Sequence, residues 1–318
     1  MGSQKVPALD KRRETLKLEF NPAKALWIFF FALVAVELTL AALDLFVNYW
    51  GYVDNYYIRR IFDITREESP VTWVSSVLFL LLGLSCVLHG VRAKIHKSLW
   101  RAGDWFVLAL IFTYLSLDDG ARIHENLGNA FGRAFGSNPL DLEPSFFDRL
   151  ADWFPSYYWQ LIFMPFLAVV GLCMFMLLWR EYKSWKFRFM MCAGFGILAL
   201  SQGLDYFEAI DHAYDWISSL SGVPTADISH YSKTLEETME MFGLTLLIMA
   251  NLGHFVTLTD NVQINFVRQK SSSTVTEVIE SDLKIPVVVG SEAGLKQQAN
   301  QTNGVVADQA EVEYFDQA

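Results

Sequence analysis

The chain has 318 residues, 53% of them hydrophobic and 15% aromatic, and a formal charge of −10 at pH 7. Its apolar residues are gathered in blocks of about 20, the length of helix that crosses roughly 30 Å of hydrocarbon, which excludes an ordinary soluble domain. Much of the acidic excess lies in the C-terminal tail and basic residues cluster at a few membrane flanks, so nothing in the charge balance points to a nucleic-acid partner.

Residues 1–23 form a basic leading segment. Six apolar runs follow, near 25–48, 71–92, 104–124, 157–179, 187–208 and 232–256. They predict an all-α polytopic bundle of about six transmembrane helices over residues 24–257, because only helices and closed barrels satisfy their backbone inside lipid. The alternating, roughly ten-residue pattern of a barrel strand is absent. The first run is too long for a signal-peptide core, and no small-residue cleavage site follows it, so it is expected to stay as a signal anchor.

Lys and Arg near span ends set orientation. The N-terminal flank carries Lys11, Arg12, Arg13, Lys17 and Lys24, the second-to-third connection Arg92, Lys94, Lys97 and Arg101, and the fourth-to-fifth Arg180, Lys183, Lys186 and Arg188. These belong on the cytoplasmic side, which puts both termini inside. Arg59, Arg60 and Arg66 in the first outer loop run against that assignment. Residues 126–156 become an outer loop, and the stretch Leu140–Tyr158, which alternates acids with Phe and Trp and contains prolines, predicts a short interfacial segment over the bundle mouth that would serve as a lid. From 258 to 318 the chain is polar and acidic and is expected to be a disordered cytoplasmic tail. Within it, Ile285–Val289 is either a short partner-binding segment or an unstructured apolar run. Cys86, Cys173 and Cys192 fall inside spans, where no disulfide framework can form, and are expected as buried small hydrophobes.

Four spans carry two ionisable residues seven positions apart: Glu37/Asp44, Asp118/Glu125, Asp205/His212 and His230/Glu237. Seven residues is two helical turns, so each pair shares a stripe, roughly 10 Å apart. Ionisable groups inside spanning helices are costly and become functional candidates by default. The predicted orientation brings all four stripes to the non-cytoplasmic half, while the cytoplasmic halves are almost purely apolar. Span four offers only Gln160 and is expected to be a packing helix.

Bland readings stand beside this one. Arg122 can neutralise Asp118 and Glu125 as surface pairs, which leaves Asp119, His124 and Ser116 to explain. Ser201, Asp205, Glu208 and His212 form a stripe with no basic neighbour, so they need a cation or shared protons. Lys233 can pair with Glu237 one turn on, leaving Glu236 and Glu240, and acids in a first turn also favour the positive helix end. Glu37 lies about midway across the bilayer. His124, His212 and His230 with carboxylates form a donor set suited to zinc or iron. No His-Glu-x-x-His, paired Glu-x-x-His or Cys-x-x-Cys spacing supports it. His89, His96 and His254 are expected to be interfacial.

The runs Phe62–Ser75, Leu115–Glu125 and Leu235–Gly243 resemble a family of uncharacterised bacterial polytopic membrane proteins. That resemblance implies a bacterial inner membrane and supplies no activity. In ingredients (Ser, Asp and three His at one membrane face) the chain is also similar to the alkaline ceramidase and adiponectin-receptor superfamily. That similarity implies a zinc-bound water attacking a lipid amide or ester. The chain departs from the superfamily pattern. It lacks the paired histidines spaced four apart, and the gap from Ser116 to His124 is too long, so no residue role is carried over.

The expectation is therefore a metal-dependent enzyme hydrolysing a lipid or membrane-embedded substrate on the non-cytoplasmic side. His124, His212 and His230 would be ligands with Asp118 or Asp205, and Glu208 or Glu237 the general base. Glu37, Asp44, Asp119, Glu125, Glu240 and Ser116 would complete the polar core. Proton or cation movement is the first alternative, and an assembly or sensory subunit with a purely structural cation the second.

Overall fold

A computed structural model describes residues 21–66, 69–135, 149–150, 157–210 and 212–259. The expectations for residues 1–20, for most of the predicted outer loop and for the tail from 260 onward lie outside the described residues.

Helix α1 (Pro22–Leu43) starts at Asn21, whose side chain accepts from the Lys24 N–H, and Pro22 occupies the first position, where no N–H is needed. It runs into a π-helical stretch, Asp44–Tyr49, and a short α2 (Tyr56–Ile61) follows. Next come α3 (Pro70–Ile95), α4 (Leu99–Ala121), α5 (Ile123–Phe135), α6 (Tyr158–Glu181), α7 (Trp185–Glu208), α8 (Asp215–Ser221) and α9 (Thr225–Thr257). Five of them, α1 with its π extension, α3, α6, α7 and α9, are long and apolar enough to cross a membrane. Large apolar side chains stand exposed along their outer faces, such as Phe31, Leu84, Val169 and Phe189, as suits contact with lipid. The fold is a polytopic membrane helical bundle.

Helix α4 has span length but carries Arg101, Asp104, Asp118 and Asp119 near its ends. It lies antiparallel along α3, with Gly90 against Phe106, Gly83 against Ala109 and Thr113, and Ser76 against Gly120.

The centre is α9. From Gly243 to Asn251 nearly every residue is buried, a pattern that belongs to a helix surrounded by others. It packs on α7, α3 and α1. Against α7 the approach depends on two glycines. A Cβ at Gly194 would stand 2.9 Å from the Gly243 carbonyl oxygen, and one at Gly243 3.1 Å from that of Gly194. Small residues at such a crossing let backbones approach where lipid gives no hydrophobic drive for association. Helix α1 is pinned to α9 by its own acids. Glu37 accepts from Thr245 at 2.5 Å, and Asp44 from His230 and Thr234 at 2.9 and 3.0 Å.

The opposite end of α9 closes over a second polar knot. Asn251 donates to Ser85 at 2.6 Å and accepts from Tyr182 at 3.1 Å, and its carbonyl receives the His89 ring N–H at 3.0 Å. His89 lies stacked between Trp105 and His254. His89 and His254 are thus buried, not interfacial, because each is enclosed by ring partners and helix backbone. Between the two ends the core is apolar, built from Leu78, Leu82, Leu108, Phe112, Leu244, Leu247 and Ile248.

Three further expectations are corrected. Helix α4 stops at Ala121, short of the expected 124, and α5 (Ile123–Phe135) runs into the region 126–156 expected as an outer loop. The cause is Asp118, whose carboxylate takes the His124 backbone N–H and so starts a new helix. Of the cysteines, Cys86 is buried while Cys173 and Cys192 lie exposed on helix surfaces.

The glycine crossing gives a direct test. Alanine at a helix-interior glycine gains about 1 kcal/mol of propensity, whereas forced overpacking costs about 1–3 kcal/mol. Gly243→Ala, whose Cβ would also meet Leu198 at 2.9 Å, should lower the thermal unfolding midpoint. Gly196→Ala on the same helix pair, with nothing within 4 Å, should leave it unchanged or raised.

Candidate functional site

The break after α4 builds the first half of the site. Arg122 takes a left-handed backbone, φ 54°, and its guanidinium reaches Glu125. Asp118 accepts from the His124 backbone N–H at 2.9 Å and from ring Nδ1 at 2.8 Å. The second bond makes Nδ1 the donor to the carboxylate, so Nε2 is the atom the imidazole offers to other groups. The Trp159 ring lies against it, centroids 4.5 Å apart. Burial disfavours the His124 imidazolium. The bond and charge of Asp118, with Glu125 and Asp119 nearby, outweigh this and raise its pKa above the usual imidazole value. Asp119 points the other way and accepts 2.6 Å hydrogen bonds from both Ser75 and Ser76. Ser116 donates to the Ser76 carbonyl oxygen at 2.7 Å and so serves the α3–α4 seam.

Helices α7 and α9 supply the second half. Lys233 places its ammonium 3.1 Å from Glu236, 3.6 Å from Glu237 and 3.9 Å from both Asp205 and Glu208. Gln160 of α6, itself buried, donates to the remaining Asp205 oxygen at 2.7 Å. One ammonium therefore serves four carboxylates. Oε2 of Glu208 and Oε2 of Glu236 are buried and have no hydrogen-bond partner. Among the described residues, Asp205, Glu208 and Glu236 bring ligand oxygens within 4.8 Å of one another, a spacing that could hold a metal ion.

The two halves face each other across a cavity of about 700 Å³. Its polar end carries Asp118, Asp119, His124, Asp205, Glu237 and Glu240. Its depth is apolar, walled by Phe79, Leu115, Met164, Leu167, Met174 and Leu198. That volume lies within the range of ordinary small-molecule sites, about 300–1,000 Å³. Helix α6 closes the cavity with a whole face, so it is more than the packing helix expected.

The three histidines expected as one ligand set do not come together. His124 is held by Asp118. His212 lies beyond the end of α7 with φ 62°, its side chain 84% exposed, and pairs with Asp215 at 2.9 Å. The predicted stripe with Asp205 fails because α7 ends at Glu208. His230 turns toward α1, donating to Asp44 while stacking on Tyr49 at 4.2 Å. Asp44 and Glu37 likewise lie outside the cavity lining, as ties between α1 and α9. What sequence reasoning missed is Gln160, whose amide orients Asp205, and the breadth of Lys233's partners. The signal was present: a lone Lys next to Glu236 and Glu237, facing a helix with acids and no base.

The Asp118–His124 pair has a pH signature. A pKa raised on folding contributes stability that is fully present below the unfolded value, about 6.5, and is lost as pH rises through the folded value. Thermal unfolding of the wild type should therefore weaken above about pH 6.5. Asp118→Asn should reduce that slope, and an unchanged slope would show that His124 does not titrate as the geometry requires.

Comparison with curated proteins and with solved structures returned no match. A family model described as a domain of unknown function (DUF8692) matches residues 26–255, a range that runs from the first turns of α1 to the end of α9. The chain belongs to that family, in keeping with its resemblance to an uncharacterised one.

Proposed function

We propose that the chain is a metal-dependent membrane enzyme that hydrolyses a lipid-borne or membrane-embedded substrate. In this reading the cavity faces the non-cytoplasmic side of a bacterial inner membrane, with six spans and both termini inside. The observation that carries the reading is the pair of buried carboxylate oxygens without a hydrogen-bond partner, on Glu208 and Glu236, within a three-acid group of metal-binding spacing that shares one ammonium. Buried charge in excess of its counter-charge costs several kcal/mol per ion. A divalent cation relieves it where the single Lys233 ammonium does not.

Asp205, Glu208 and Glu236 would be the ligands, in place of the expected histidines. An all-oxygen donor set favours magnesium, manganese or iron over a histidine-type zinc centre. Gln160 fixes Asp205 and Lys233 fixes Glu236, as groups behind metal ligands commonly do. The cation, when bound, supplies Lewis-acid activation of water and of the scissile carbonyl. Glu237, next to Glu236 on α9, takes the proton as the water oxygen joins the acyl carbon. His124, oriented by Asp118, returns a proton from Nε2 to the leaving oxygen or nitrogen as the bond to that carbon breaks. The apolar depth of the cavity receives the hydrocarbon part of the substrate.

Ion or proton transport is less well supported. Below the acids the buried core is the Leu, Ile and Phe layer already described, with Glu37 and Thr245 beside it.

Metal content of protein purified without chelators is the test. About one equivalent of iron or manganese, or saturable binding of added magnesium, is expected, and Asp205→Ala and Glu236→Ala should both lose it. Saturation at about 100 times Kd should raise stability by about 2.7 kcal/mol. No retained metal, together with no stabilisation by any of these ions, would sink the reading.

A further inference from the structure

We infer that the ligand of this cavity is a long-chain amphiphile with a protonated amine at its polar end, and that phosphate-headed lipids are excluded. The inference rests on the reading of this cavity as the substrate site and deepens it. Seven carboxylates line the cavity against three basic side chains, Arg122, His124 and Lys233. Two of those bases are already engaged, Arg122 with Glu125 and His124 with Asp118. Even a bound divalent cation leaves carboxylates in excess.

With Asp205 and Glu236 given to the cation, Glu237 and Glu240 still line the cavity. Carboxylates left over in a cavity match a donor on the ligand, and an acceptor left unmatched there costs its desolvation penalty. An ammonium supplies three donors and a positive charge. A phosphate supplies only acceptors and more negative charge, and like charges brought together at a binding site cost several kcal/mol.

Two aromatic rings strengthen the case. Trp159 and Tyr206 line the same cavity as the acids. Ring faces attract an ammonium by about 0.5–1 kcal/mol where exposed and about 2 kcal/mol where water is excluded. The apolar walls on α3, α6 and α7 accommodate the chain. Acids, rings and apolar walls together select a cationic head on a hydrocarbon tail.

The test compares three probes of one chain length, octadecylamine, octadecyl phosphate and octadecanol, competing for the full-length protein in phosphatidylcholine nanodiscs. The amine should bind at least about tenfold more tightly than the alcohol, a difference of about 1.4 kcal/mol, with the phosphate weakest. The doubly substituted Glu237→Gln, Glu240→Gln protein should lose that preference. Where that variant does not fold, judged by its unfolding midpoint, Glu125→Gln on the half-buried α5 should narrow it. Phosphate binding as tightly as amine would overturn the inference. So would an amine preference unchanged in the carboxamide variants, which would mark simple partition into the bilayer. Metal content is measured in the same samples. Amine preference without metal would remove the metal reading alone, and metal without amine preference would remove this inference alone.

Discussion

Lys233 sits where the bundle can least accommodate an uneven charge count. Its ammonium, 19% exposed in its side chain, reaches carboxylates on both α7 and α9. Without it, the crossing of those helices at Gly194 and Gly243 would press several buried acids together. With it, the helices close, but the balance still falls short by several charges. The fold therefore holds an electrostatic deficit beside a cavity. That deficit costs stability, and the proposed cation affinity draws on the same acids. Replacing acids with apolar residues would strengthen the bundle and remove the proposed site.

The polar groups at the two ends of α9 are managed differently. At the far end, Asn251 has its amide engaged by Ser85 and Tyr182, and His89 is held by a carbonyl and two rings. A satisfied network of that kind makes a rigid closure. At the near end, oxygens are left over and a cavity adjoins them. Burial of polar groups alone does not mark a site. Incomplete satisfaction beside open volume does.

Much of the bundle was legible in the sequence, because hydrocarbon thickness imposes a length on apolar runs that nothing else mimics. The acids were also legible as costly. What sequence could not supply was rotation. His230, Lys233, Thr234 and Glu237 lie within eight residues of α9, yet His230 and Thr234 face α1 while Lys233 and Glu237 face α7. The heptad pairing grouped His230 with Glu237, and helix packing divided them. The α4–α5 break was hidden for a related reason. Asp118 was read as a mid-stripe ligand, whereas its carboxylate serves as the cap of the next helix. Gln160 looked like a packing residue because its contact with the site is to Asp205, 45 positions away in sequence.

The π-helical stretch at Asp44–Tyr49 has a consequence for how the chain tolerates length changes. A π turn holds one more residue per hydrogen-bonded ring than an α turn. Removing one residue there would let α1 continue as ordinary helix and would rotate everything beyond by roughly 100°. Asn48 and Tyr49 would swing away from Asp44 and from the His230 ring, and the bond from Asp44 to the Ile64 N–H would lose its register. The extra residue thus acts as a spacer that sets the phase between α1 and the start of α9. A deletion of one residue at this point would be felt more severely than most substitutions within it.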